Sequence, residues 1–288
     1  MPIYDQGYQR WNGELQRHPV RWWPIVRHGV LSVLKQRKYM SLLILAWLGP
    51  FVQGVRLFLG SRVGSVINTQ QFGGLFEDGM GFYLDVLEKQ GLWVLLFVVL
   101  VGSDLIAQDR RHNALQIYFS KPLTPNDYIL GKLGIVGSFL MGITWLPVLL
   151  LWLFALTLQI RSDYLASVWS VPLVATVYCV LLLLVAGLLV LALSAIARRA
   201  IFVGVSWILI FGYGPLQGII PLVQGLSGND YFGLLHVSGN LQDVGAWLFG
   251  LSGHGDYPPA VSLLALVVVA ALSYAVLRRR IRPVEVVL

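Results

Sequence analysis

Six apolar runs decide what this chain can fold into. They cover residues 40–59, 91–107, 128–158, 171–197, 201–223 and 260–277, and charged side chains are nearly excluded from them. About 20 apolar residues wound into a helix cross the roughly 30 Å hydrocarbon core of a bilayer. With 57% hydrophobic residues and a mean hydropathy of +0.71, the chain is too apolar for an ordinary soluble domain. The expected fold is an all-α integral membrane protein, a single domain over residues 1–288 with six transmembrane helices. Residues 1–39 form a tail and amphipathic helix, 108–124 a segment between spans two and three, and 224–259 a long loop between spans five and six.

The runs are not alike. The first carries Pro50 and Arg56, and the apolar core of the second is only 92–101. The third is too long for the membrane: at 1.5 Å per residue it gives about 45 Å against about 30 Å of hydrocarbon. It is expected to tilt or to project at one end, with Pro147 as a site for a kink. The N-terminal residues are polar and aromatic, without the short apolar run and cleavage site of a signal peptide. The first span is therefore expected to act as its own insertion signal. Cys179, the single cysteine, lies in an apolar run, so no intramolecular disulfide is available.

Charge orients the spans. Basic residues concentrate on the cytoplasmic side of a membrane protein. With six spans, both termini and the even-numbered connections share one side, which then holds 17 of the 21 Lys and Arg residues. The other side holds eight of the fourteen acids, and 224–259 contains no Lys or Arg. A five- or seven-span reading breaks this pattern. The net charge of +7 thus points to a membrane surface rather than nucleic acid. The expected location is the inner (cytoplasmic) membrane, multi-pass, with both termini in the cytoplasm.

Ahead of the first span, Trp22, Trp23, Val26, Val30, Val33 and Leu34 share one helical face, with Arg27, His28, Lys35 and Lys38 around the rest. Pro24 suits the first turn of such a helix. Basic residues with paired Trp mark a helix lying along the bilayer surface, so Trp22, Trp23 and Arg27 are expected at the membrane interface.

The segment between spans two and three reads LIAQDRRHNALQIYFSKPLTPNDYILGK from Leu105 to Lys132. Residues 108–113 are polar, whereas Leu115, Ile117, Tyr118 and Phe119 are too apolar for a purely solvated loop. Pro122 ends a helix, because the residue before a proline resists the α region. Thr124 is then a natural N-cap, Pro125 fits the first helical position, and Asp127 at the third completes a capping-box pattern. The long third helix is expected to begin in the cytoplasm at Pro125, which accounts for its excess length. Read by themselves, these residues fit equally a well-capped turn and a rigid corner that passes a push from a cytoplasmic partner into the membrane.

The order of residues here resembles the permeases of ABC-2 type ABC transporters. After their second span these carry an acidic residue, one or two basic residues and a small-residue/Thr-Leu step. A Pro, a polar triplet and a Gly-Lys entering the third span follow. This chain offers Asp109, Arg110, Arg111, Ala114-Leu115, Pro122, residues 124–127 and Gly131-Lys132. It departs in having Asp109 where Glu is usual and Asn113 where Gly is usual. The likeness extends loosely to the whole chain, with its interfacial helix, six spans and long loop before the last.

The resemblance implies that two six-span permeases associate, as a homodimer or with a paralogue, above two copies of a separate ABC-type ATPase subunit. The segment after span two would be a coupling helix in a groove of that ATPase, with Arg110 and Arg111 pairing acidic residues at the groove edge. Leu115, Tyr118 and Phe119 would pack into it. ATP and Mg would be bound by the partner, and closure of the ATPases would drive export. The chain has no G-x-x-x-x-G-K-S/T phosphate loop, so it is expected to have no enzymatic activity or cofactor of its own. The alternative is a membrane scaffold or assembly factor without its own transport.

Other chemistries find little footing. GLSG occurs at 225–228 and 250–253, the second followed by His254, a weak likeness to intramembrane serine proteases. Both copies sit in the loop, and the last run has no His to act as base. The five histidines show no metal-ligand spacing and none lies in a run. Ion-coupled transport usually needs ionisable groups at mid-membrane, and only Arg56 and Asp104 come near the runs. Their scarcity fits a hydrophobic or amphiphilic cargo, or a conduit powered from outside the chain. For 224–259, a surface loop with interfacial aromatics and short helices dipping into the outer leaflet fit equally.

Overall fold

The computed structural model describes residues 20–63, 79–120, 123–158, 162–197, 199–211, 230–252 and 258–281. Among these every element is helical. Five helical runs are long and apolar enough to cross a membrane: Arg37–Ser61, Met80–Arg111, Pro125–Leu158, Tyr164–Ile196 and Pro259–Arg280. Ala200–Ile210 is a shorter apolar helix. The chain is thus an all-α, multi-pass membrane protein.

In chain order the helices are α1 (Trp23–Leu34), α2 (Arg37–Val63), α3 (Met80–Lys89), α4 (Gly91–Phe97), α5 (Ser103–Arg111), α6 (Ala114–Phe119), α7 (Pro125–Ile143) and α8 (Trp145–Leu158). Then come α9 (Ser162–Val168), α10 (Val171–Leu182), α11 (Leu188–Ile196), α12 (Ala200–Phe211), α13 (Val237–Leu248) and α14 (Pro259–Arg280). The most apolar window of Tyr164–Ile196 is 67% buried, whereas those of α2 and α14 are 22% buried. The fourth run is therefore the axis of the bundle, and α2 and α14 line its flanks.

The second run is longer than its expected 91–107. Lys89 and Asp85 form an i,i+4 pair at 2.5 Å on an exposed face, which in sequence resembles the edge of a span. The opposite face of α3 buries Phe82, Tyr83, Leu84, Val86 and Leu87, so the helical stack begins at Met80. The third run starts at Pro125 as expected and breaks at Thr144, where α7 gives way to α8. Pro147 stands in the first turn of α8, the place a helix tolerates the missing N–H. Thr144 Oγ1 donates back to the Leu140 carbonyl at the break.

Two runs are widened by π turns, Val98–Gly102 between α4 and α5 and Leu183–Gly187 between α10 and α11. Such bulges mark places where a helix changes direction, often at functional sites. Below them α5 and α11 are tied side to side. Ser194 Oγ accepts from the amides of Ile106 and Ala107 at 3.2 and 3.1 Å and donates to the Ser103 carbonyl at 2.7 Å.

Helix α1 does more than lie on a surface. Its Val26 and Val33 are buried, and its side chains and those of α7 press onto glycines of the facing helix. A Cβ at Gly134 would fall 2.6 Å from Val26, and one at Gly29 would fall 2.2 Å from Ile135. In the loop before the last run, α13 is packed into the bundle, with Val237, Leu241, Val244 and Ala246 buried.

Candidate functional site

The 24-residue pattern from Asp109 to Lys132 closes on itself. Its first acid, Asp109, and its last base, Lys132, form an ion pair at 2.6 Å with side chains 16% and 7% exposed. Tyr128 Oη donates to the same Asp109 oxygen at 2.6 Å. The Lys132 ammonium lies 5.4 Å from the Tyr128 ring centre and 5.8 Å from that of Tyr118, within cation–π range. The two rings meet edge to face at 5.4 Å, and Phe119 leans on Tyr128 at 6.2 Å. Burial first, and then the Asp109 charge, push the Tyr118 phenol above its usual range. It stays a neutral wall of the box.

Local sequence builds this geometry. The second run ends at Arg111, and Asn113 turns the chain with φ +53°, the only non-glycine at positive φ among the described residues. Asn tolerates the left-handed region better than any residue but Gly, which suits Asn113 to this turn. Helix α6 follows. Lys121 and Pro122 lie outside the described residues, so the helix stop expected at Pro122 does too. At Thr124 the capping box is complete: Thr124 Oγ1 accepts from the Asp127 amide at 3.2 Å, and Asp127 Oδ2 accepts from the Thr124 amide at 3.1 Å. Pro125 occupies the first turn. The start of α7 is further held by Tyr274 of α14, whose hydroxyl donates to Asn126 Oδ1 at 3.0 Å.

The residues singled out from sequence divide into two sets. Leu115, Tyr118 and Phe119, expected to pack into a partner, are half-buried against this chain's own core. Arg110 donates to the Ala195 carbonyl at the end of α11, which ties span two to span four. Arg111 bonds Asp104 at 2.7 Å, with side chains 46% and 50% exposed. Such a solvated pair contributes at most about 1 kcal/mol and is easily exchanged. Arg111, His112, Asn113, Gln116 and Ile117 face outward. Ile117, 66% exposed, is the apolar tip of α6. On α1, the Trp22 and Trp23 rings meet edge to face at 6.2 Å, with Trp23 54% exposed and Arg27 exposed.

Sequence reasoning missed Tyr128 and Ser194. Tyr128 precedes Lys132 by four residues and so shares its helix face, a spacing that could have revealed it. Nothing near Ser194 signals that its hydroxyl bridges two spans. The assembled groups are charged and aromatic, and Asp109, Tyr128 and Lys132 are paired with one another. The arrangement suits a fixed corner. No protein-family model matches the sequence, and no curated protein matches it.

Proposed function

We propose that this chain is the permease subunit of an ATP-driven exporter of the ABC-2 type, moving a hydrophobic or amphiphilic substrate with energy from a separate ATPase. One observation carries the reading. The two ends of the family-like pattern, 23 residues apart, close into one buried ion pair, and the helix between them points its outer face away from the bundle. A corner so braced suits a coupling element better than a passive turn.

In this reading the outer face of α6, with Ile117 and the exchangeable Arg111, enters a groove of the ATPase, and the ATPase subunits bind ATP and Mg. A push on α6 reaches α7 through Asp109 and Lys132, and reaches α11 through Arg110 and Ser194. The π turns in spans two and four are the hinges about which the lower halves of these spans swing. Two copies of the ATPase and a second permease chain complete the assembly in the inner membrane.

The reading includes six crossings and cytoplasmic termini. Helix α11 ends beside Arg110, whereas Gly245 of α13 packs on Tyr178 in α10 and Leu84 in α3, towards the other end. The apolar α12 lies between them in sequence, so a crossing between 197 and 237 accounts for both contacts. The test is co-purification of the full chain from its native membrane. An ABC-type ATPase in equal stoichiometry, with hydrolysis stimulated by the permease, is the expected result. A chain that purifies without any ATPase overturns the proposal and favours a membrane scaffold.

A further inference from the structure

Span one lacks a hydrogen bond at its middle. Helix α2 runs from Arg37 to Val63 with Pro50 inside it. Proline brings no N–H, so the carbonyl four residues earlier, that of Ala46, loses its helical donor. Ala46 is fully buried, and leaving a buried carbonyl unpaired costs more than a typical hydrogen bond contributes. Inside a membrane such a carbonyl is satisfied by a neighbouring element. Here the neighbour is Gln90, whose Nε2 donates to the Ala46 carbonyl at 3.2 Å across 44 residues of sequence. Gln90 is 2% exposed, and its Oε1 has no partner among the described residues. One bond therefore fixes the amide, and that bond goes to the carbonyl the proline left open.

Both partners stand at joints. Gly49 precedes Pro50, and these two residue types are the weakest formers of a helix interior. Gln90 is the single residue between α3, which ends at Lys89, and α4, which starts at Gly91. Pro50 also lines an apolar cavity of about 400 Å³ shared with Pro147 in the first turn of α8, so open space adjoins the joint in α2.

We infer that Gln90 is the latch of a proline hinge: it holds span one in one bend at Pro50 and ties that bend to the joint in span two. While the bond is made, the Ala46 carbonyl is satisfied and a single bend is favoured. When a movement of span two draws Gln90 away, the carbonyl is released and span one changes its angle at Pro50, the usual place for a sharp kink. The latch requires no ATPase partner, because any ligand or subunit that moves span two would operate it.

The test uses the full chain in lipid nanodiscs, with spin labels on Met40→Cys and Leu59→Cys, two exposed positions of α2, in a Cys179→Ala background. The labelled positions are about 28 Å apart along the helix, and double electron–electron resonance reads the bend as a distance. Without further change one narrow distance is expected. Gln90→Met keeps the length of the side chain and removes the donor, and is expected to raise the population of a second distance about tenfold. Pro50→Ala restores an N–H to the Ala46 carbonyl, so adding it to Gln90→Met should return the single distance. Denaturant unfolding in detergent follows the same cycle: Gln90→Met should lower the folding equilibrium constant about tenfold in the native chain and leave it unchanged in Pro50→Ala. A distance distribution unaltered by Gln90→Met, or an equal loss of stability in the two backgrounds, overturns the latch.

Discussion

The corner at α6 and the helix α13 both lie between apolar runs, yet they are held in opposite ways. No residue of α6 is buried, whereas eight of the twelve residues of α13 are. The corner is fastened at its ends by an ion pair, a capping box and a carbonyl-bound arginine, and its outer face stays free. Helix α13 is fastened along its length by close contact, with Gly245 against the ring of Tyr178. The difference separates an appendage with a free outer face from a plug that completes a core. It also predicts that the corner fails when a charge is removed and the plug fails when a methyl group is added.

The largest effect is expected at the ion pair. Lys132→Met leaves Asp109 buried beside Tyr128 without its cation, which costs about 3–5 kcal/mol. Denaturant unfolding of the purified protein in detergent measures it. Adding Asp109→Leu is expected to recover most of the loss, because a matched apolar pair no longer strands a charge. A double variant as unstable as the single one would show that the pair contributes more than mutual neutralisation.

At α13 the expected loss is smaller and of another kind. A Cβ at Gly245 would lie 2.8 Å from the Tyr178 ring, so Gly245→Ala overpacks the contact at about 1–3 kcal/mol. Tyr178→Leu in the same chain should relieve it. Relief at Gly245 combined with indifference of the corner would establish that the two regions are fastened independently. Next comes the cap: Thr124→Ala is expected to cost about 1 kcal/mol and Thr124→Ser almost nothing, both read from the same unfolding curves.

A pH difference sharpens the contrast further. His236, at the N-cap of α13, shares a 2.8 Å hydrogen bond with Ser238. Burial lowers its pKa below the usual 6.5, against a smaller opposing effect of Asp243. The unfolded chain therefore binds the proton more readily, and stability rises with pH through this window and is lost as pH falls below about 6.5. His236→Asn should flatten that acid limb. An unchanged limb would place the titration elsewhere.

Much of this contrast is legible in the sequence, for physical reasons. Hydrophobic length and the Thr124-Pro125-Asp127 cap are local properties, so the runs and the foot of the third helix can be read from neighbouring residues. The joining of Asp109 to Lys132 is not local: Arg110 and Arg111 stand beside Asp109 in sequence, yet its partner lies 23 residues on. Three features escape such reading. The start of the second run is hidden because Asp85 and Lys89 sit on the exposed face of a helix whose other face is core. The burial of α13 depends on Gly245, whose neighbours Tyr178 and Leu84 come from distant helices. The rotation of α6 that turns Leu115, Tyr118 and Phe119 inward sets the last two against Tyr128 on another helix and leaves Ile117 outermost.

That rotation leads to the smallest expected change in the fold. Ile117 touches little of this chain, so Ile117→Asp should alter stability by no more than about 0.5 kcal/mol. Phe119→Asp instead drives a carboxylate against Tyr128 and beside Asp109, and should unfold the corner. If the outer face of α6 is what an ATPase grips, Ile117→Asp loses the partner while the chain melts as before. Phe119→Asp loses partner and stability together. A complex that survives Ile117→Asp means the grip lies elsewhere, with Arg111 and its exchangeable salt bridge the next residue to test. The pair of variants thereby separates what the corner does for its own bundle from what it offers to another protein.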